Sequence, residues 1–342
     1  MVDDLDHFIR GLPKAELHMH LEGSIEPQLM LDLAARNGVA MRWSSAEELR
    51  AAYQFDDLHS FLDLYFAGCQ VLVTEQDFYD ITRAYLRRAH LDGVIRTEMF
   101  FGPQSFTDRG VSLATMMGGI LAAIDDGVHE HGLSAGLLIS VHRHRSEAEA
   151  LGLLDQLTPW ADRIAGIGMG GAELGNPPAG FVNYFRAAKA CGFRTTVHAG
   201  EEGPPAYIRE AIELLGVDRI DHGVRCMDDP ALVRDLAAQQ IPLTVCPLSN
   251  LRLKGVASLA QHPLKAMMAA GLNVTINSDD PPYFGGWVTE NMVECRHALD
   301  LTIDELVQLA RNSISAAFVS AAEAADMIKR LDAYAAARPT DR

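Results

Sequence analysis

Residues 193–223 read FRTTVHAGEEGPPAYIREAIELLGVDRIDHG, and this stretch decides the fold. Phe193–Gly200 is a short apolar and β-branched run of strand type, while Ala206–Leu215 carries apolar residues at helical spacing. Arg219–Gly223 then opens a second strand. Gly216 stands where the helix must stop, at the left-handed C′ position that glycine takes most readily. Nearly continuous apolar strands joined by helices imply a buried parallel sheet.

The same unit recurs on both sides. Ala15–His20, Val94–Phe101, Ser134–Val141 and Ile164–Gly171 precede it, and Ile241–Leu248 and Leu272–Asp280 follow, which makes eight candidate strands. Helical spacing recurs in Ala148–Leu157, Gly180–Ala190, Pro230–Gln239 and Pro263–Ala270, with Gly192 and Gly271 as further C′ glycines. Eight repeats favour closure into a single α/β (β/α)8 TIM barrel over an open doubly wound sheet, with 1–342 as one domain. Residues 21–93 are too long for a simple crossover and contain helical patterns such as Leu58–Leu72 and Gln76–Ala89. This helical insertion after the first strand is expected to be a lid. Thr302-x-x-Glu305 is a capping box that opens extra C-terminal helices, and the tail from Arg338 is expected to fray.

Composition narrows the function. The chain has 342 residues, 48% hydrophobic and 22% charged, and a net charge of −17 from 29 basic and 46 acidic residues. Such a chain can bury a core without disulfides, and its charge argues against nucleic acid or a polyphosphate as partner. Five cysteines without a C-x-x-C pair read as scattered core residues in a reducing compartment. The acidic N-terminus has no apolar run behind it, and no segment approaches the ~20 apolar residues of a membrane span. A soluble cytoplasmic protein is expected.

In a (β/α)8 barrel the C-terminal strand ends converge on the active site. Those ends supply His18 and His20, His198 with Glu201, His222, and Asp279 with Asp280. Several imidazoles with carboxylates form a ligand inventory for a cation such as zinc. His18 and His20, two apart on a strand, point to one side. Alone, an H-x-H pair is a weak signal, as the chain itself shows: His142 and His144 repeat it beside Arg143 and Arg145, where cations are unwelcome. That second pair reads as polar residues at a strand end, with His144 at most supporting the site. His198 and His222 could each be a satisfied core histidine. Asp279-Asp280 is harder to dismiss, because adjacent buried carboxylates repel unless a cation or a donor compensates.

The segments LPKAELHMHLEGS, HAGEEGPP, RIDHG, CPLSN and NSDDP, in that order from Leu12 onward, resemble the motifs of the adenosine deaminase family of the amidohydrolase superfamily. The resemblance implies one Zn2+ per chain, held by His18, His20, His198 and Asp279, with a water in its open position activated as hydroxide. It implies that Glu201 protonates N1 of a 6-aminopurine while His222 assists attack at C6. Asp280 would hydrogen-bond N7, and the Gly171 backbone would face N3. The cytidine-deaminase pattern H-x-E with P-C-x-x-C is absent.

Two departures bear on the substrate. Adenosine deaminases usually read H-x-H-L-D-G, whereas this chain has Glu22, longer by a methylene and able to fill the space of a ribose. In GMGGAELGNPP, Gly168 replaces the first aspartate of the family's G-x-D-L-x-G-x-E pattern. The spellings LPKAELHxHLEG, EEGPP and NSDDPxYFGG resemble the adenine deaminase branch and imply adenine as substrate, with adenosine or an N6-substituted adenine as alternative, and Gly168 weakens the adenosine case further. Glu22 or Glu173 could meet the N9–H of a free base, and Glu173 could equally be a structural carboxylate. Phe55–Phe66 lines the ring pocket or is plain core, and the same choice stands for Tyr283 and Trp287. A non-enzymatic purine-binding barrel is disfavoured because Glu201, His222 and all four ligands are present. A two-metal amidohydrolase is disfavoured because no strand end offers a bridging lysine.

Overall fold

The structure is a computed structural model that describes residues 4–337; the tail beyond lies outside the described residues. Eight strands form one sheet in the order β1 (Lys14–His20), β2 (Val94–Phe101), β3 (Ser134–His142), β4 (Ile164–Gly170), β5 (Arg194–Ala199), β6 (Arg219–His222), β7 (Leu243–Val245) and β8 (Val274–Ile276). Every neighbouring pair is parallel. The ring closes where Met19 bridges Asp279: His20 N–H donates to Asp279 O at 2.9 Å, and Asp279 N–H donates to His18 O at 3.0 Å. The expected (β/α)8 barrel is what forms, and its closing bonds involve residues of the candidate site.

Interior strand residues are almost all buried, as a parallel sheet covered on both faces requires. The C′ glycines behave as read: Gly192, Gly216 and Gly271 have φ of +87°, +59° and +78°. Thr302 and Glu305 form the capping box that opens the helix Ile303–Ser315, and the helix Ala321–Ala336 follows. Two strands are shorter than the sequence suggests. Pro247 begins a helix, Pro247–Arg252, so β7 stops at Val245; proline has no N–H for the ladder but fits a helix's first turn. β8 stops at Ile276; Asn277 N–H still donates to Val245 O at 2.9 Å, but toward β1 it is the Asn277 side chain that accepts Leu17 N–H, at 2.9 Å.

The segment between β1 and β2 is helical, with Pro27–Asn37, Ala46–Ala51, Leu58–Cys69 and Glu75–Leu91. Asp57 and Thr74 cap the last two helices with reciprocal capping boxes, which set where each begins. Leu58 N–H donates to the Glu202 carboxylate at 3.1 Å, and Lys254 pairs with Asp56, so the start of Leu58–Cys69 is tied to the loops after β5 and β7.

Candidate active site

The barrel mouth gathers His18, His20, His198 and Asp279: His18, His20 and Asp279 offer ligand atoms within 4.8 Å of one another, and His18 and His198 do so together with His222. His18 Nε2 lies 3.5 Å from Asp279 Oδ1, His20 Nε2 lies 3.4 Å from the same oxygen, and His20 Nε2 lies 3.1 Å from His198 Nε2. Tetrahedral zinc with ligand bonds of ~2.1 Å separates its ligands by about 3.4 Å. The donor set and its edges fit that ion.

The other ring nitrogens are held from behind. His18 Nδ1 donates to Thr244, 3.0 Å from the hydroxyl and 3.2 Å from the carbonyl. His198 Nδ1 lies 3.3 Å from Asp221 Oδ2. Asp221 in turn accepts from Thr196 (2.7 Å) and Thr244 (3.0 Å) and lies 3.8 Å from Arg219 Nε. Such partners fix the tautomer that leaves Nε2 free for a metal. His18 Nε2 is buried without a hydrogen-bond partner, which a ligating role explains. In the sequence Asp221 reads only as a neighbour of His222; its place on the same inward face as Thr196, Thr244 and His198 appears only once β5, β6 and β7 are in register.

Backbone strain aims two of the groups. His222 and Asp279 both have φ of +65°, a region costly for residues with a Cβ and seldom kept without a compensating role. His222 Nε2 thereby lies 3.4 Å from Glu201 Oε2 and 3.9 Å from Asp279 Oδ2. Burial, with Asp279 and Glu173 nearby, holds the Glu201 carboxyl well above its ordinary range. Asp280 is likewise pushed well up, by burial and by Asp279. His222 is pushed well down by burial, with His18 adding to the effect. Burial thus favours the neutral forms of Glu201, Asp280 and His222 beside the ligand cluster. Cys246, just after β7 and the first residue of the CPLSN segment, is a buried thiol within reach of His222 and Asp279.

A cavity of about 570 Å³, open solvent at its mouth included, lies against these groups. Glu201, His222, Asp280 and Gly171 line it, and Gly171 turns there with φ of +92°. The opposite wall comes from Leu58, Phe61, Leu62, Tyr65 and Phe66, so the aromatic stretch does reach the pocket. Tyr283 and Trp287 are packing instead, stacked on Tyr53 at 4.5 Å and on Tyr85 at 6.1 Å.

The two carboxylates offered for N9 part company. Glu22 is buried beside the cavity: Oε1 accepts Gly102 N–H at 2.7 Å, and Oε2 has no hydrogen-bond partner. Neither Glu22 nor Glu173 is itself among the residues that line the cavity. The Glu173 oxygens accept the backbone N–H groups of Gly200, Glu201, Glu202 and Gly203 at 2.6 to 3.1 Å, so it anchors the Glu201 loop and has nothing left for a substrate. Of the two readings the sequence leaves for Glu173, these hydrogen bonds favour the structural one. The second H-x-H pair is corrected in the other direction: His142 lines the cavity, while His144 stacks behind it with ring centres 5.2 Å apart.

A His/Asp ligand cluster at the mouth of a closed parallel barrel defines a TIM-barrel amidohydrolase. The chain belongs to the adenosine deaminase family, whose description, "Adenosine deaminase", matches residues 13–334, and with it to the hydrolases. It is 67% identical over 333 residues to an adenine deaminase of Rhodopseudomonas palustris, covering 97% of both chains. Among solved structures it resembles the adenine deaminase of Arthrobacter aurescens, with a TM-score of 0.94 and 48% identity, over 95% of this chain and 100% of that one. It also resembles an amidohydrolase from Burkholderia ambifaria solved with bound Zn, with a TM-score of 0.89 and 29% identity, over 98% and 95% of the two chains.

Proposed function

We propose that the protein is a zinc-dependent adenine deaminase, converting adenine and water to hypoxanthine and ammonia in cytoplasmic purine salvage. The observation that carries this reading is that one cavity is lined by His20, His198 and Asp279, with Glu201 3.4 Å from His222, and by Asp280, while His18 lies behind it 3.5 Å from Asp279. The names of the relatives at 67% and 48% identity support adenine as substrate, and the neighbour with bound Zn supports the metal. All five cysteines are free, which suits a reducing compartment.

His18, His20, His198 and Asp279 would hold one zinc ion per chain. When bound, such an ion lowers the pKa of water and supplies hydroxide near neutral pH. Neutral His222 accepts a hydrogen bond from the attacking water and takes up its proton. Glu201, kept protonated by burial, gives its proton to N1 and makes C6 electrophilic. Asp280, protonated for the same reason, donates to N7, and the Gly171 backbone faces N3. Glu22 stands at the N9 end of the base, in the space a ribose would take. The helical insertion 21–93 acts as the lid, and the apolar side chains of Leu58–Cys69 exclude water from the ring. A neutral base without phosphate also suits a chain of net charge −17.

An ammonia-release panel of adenine, adenosine, deoxyadenosine and N6-substituted adenines tests the reading. Adenine is expected to turn over fastest. Adenosine turning over faster than adenine would overturn the role of Glu22.

A further inference from the structure

His142, with Ser140 and Tyr65, is a polar side chain of the cavity that the proposed mechanism leaves unused, and it is the titratable imidazole among them. It ends β3, and its backbone N–H donates to Gln104 Oε1 at 2.7 Å. The ring is held on three sides: Nε2 lies 3.3 Å from Ser105 Oγ, the Phe66 ring meets its face at 5.4 Å, and His144 stacks behind it. Nδ1 has no protein partner among the described residues. A neutral imidazole that donates through Nε2 keeps Nδ1 as an acceptor.

Its position in the barrel says which part of a ligand it meets. With strands in the order β1 to β8, the ends of β2 and β3 lie across the mouth from β6 and β7. The reacting C6 edge of the base is claimed by Glu201, after β5, and by His222, on β6. The remainder of the base extends toward Gly102, after β2, and His142. Gly102 separates His142 from Glu22 and keeps the gap clear, since a Cβ there would lie 3.0 Å from His142 Nε2 and 3.4 Å from Glu22 Oε1. His142 on the cavity wall and Glu22, bonded to Gly102, thus lie on the side of the mouth opposite the chemistry.

We propose that His142 is a specificity-determining residue: its imidazole, fixed by Ser105, accepts the N9–H of the free base and, with Glu22, closes the space an N9 substituent would need. This rests on the adenine deaminase reading. A site built to bond an N–H rejects the analogue lacking it, because its own acceptor is left buried and unpaired.

Steady-state kinetics on the zinc-loaded enzyme with adenine and 9-methyladenine provide the test. His142→Leu is expected to raise KM for adenine about 10- to 100-fold while kcat changes by less than about threefold. The preference for adenine over 9-methyladenine in kcat/KM should fall by about tenfold or more. His142→Gln, which keeps an acceptor, should recover most of the lost adenine KM. If the leucine variant does not fold, His142→Asn, polar but too short to reach, reads the same KM. An unchanged KM and preference in the variants of an active enzyme overturn the inference, as does a fall in kcat and zinc content with KM unchanged. Wild-type protein that releases no ammonia from adenine overturns the deaminase reading itself.

Discussion

The barrel buries charged and polar groups in two places and treats them differently. Deeper in the interior the charged side chains pair with one another, although single atoms such as Arg219 Nε and Asp92 Oδ2 make no hydrogen bond. Arg219 pairs with Glu98 at 2.7 Å, reaches the carbonyls of Ala316 and Leu17, and lies 4.1 Å over the Phe318 ring; Glu98 is shared with Arg96 at 3.0 Å. Lys14 donates to Asp92 O, and Glu16 accepts from Tyr85 at 2.7 Å and from Ser278. At the mouth, His18 Nε2, Glu22 Oε2, His222 Nδ1 and Asp280 Oδ1 are buried without partners, and Glu201, Asp279 and Asp280 crowd one another. Burial with partners gives stability; burial without them stores interaction for a ligand. Asp221 joins the two regions, with Arg219 on one side and His198 on the other.

Substitutions on either side of this contrast should therefore fail in different ways. Glu201→Gln removes a proton donor but little that holds the fold. Ammonia release should fall by about 100- to 10,000-fold, with zinc content and thermal midpoint retained. Turnover near the wild-type rate would remove Glu201 from the mechanism. Arg219→Leu does the reverse, leaving Glu98 and Asp221 short of a buried counter-charge. Urea unfolding should show a loss of about 3 kcal/mol or more. A loss below about 1 kcal/mol, the range of a surface pair, would break the contrast.

Asp221→Asn tests the joint. It keeps the shape but weakens the acceptor behind His198 Nδ1, so zinc affinity measured against a competing chelator should fall by about 10- to 100-fold. Unchanged affinity would mean that the Thr244 contact on His18 suffices to orient the cluster.

The architecture is legible in the sequence because each repeat carries its own punctuation, apolar strand, amphipathic helix and C′ glycine, as in 193–223. The ligands are legible because packing alone would not select imidazoles and carboxylates at the ends of apolar strands. What the residue order hides is lateral. Glu173 and the loop 200–203 are close only across the β4–β5 edge, so four backbone N–H groups converging on one carboxylate leave no local trace. His142 looks unpromising in the sequence because Arg143 and Arg145 interleave with the pair. The chain turns after His142 and both arginines are engaged elsewhere: Arg143 bonds the carbonyls of Asn176 and His198, and Arg145 pairs with Asp108 and Glu149.

The finest test compares histidine with histidine. His262 is buried, like His18 and His222, but both its nitrogens are used: Nε2–H donates to Asn250 Oδ1 at 3.0 Å, and Nδ1 accepts Leu264 N–H at 3.1 Å. Burial pulls its pKa from the ordinary 6.5 down to about 4. Above pH 6.5 both folded and unfolded forms are neutral and its contribution is complete. Below that the unfolded chain takes up a proton that the folded chain refuses, so stability is lost as pH falls, levelling off below about 4. Between pH 8 and pH 6 the loss is about 0.8 kcal/mol. His262→Gln should remove that part of the pH dependence in paired urea titrations and leave kcat unchanged, because a histidine with both nitrogens occupied has none to lend to chemistry. A fall in kcat would place His262 with the mouth and move the boundary between the two regions.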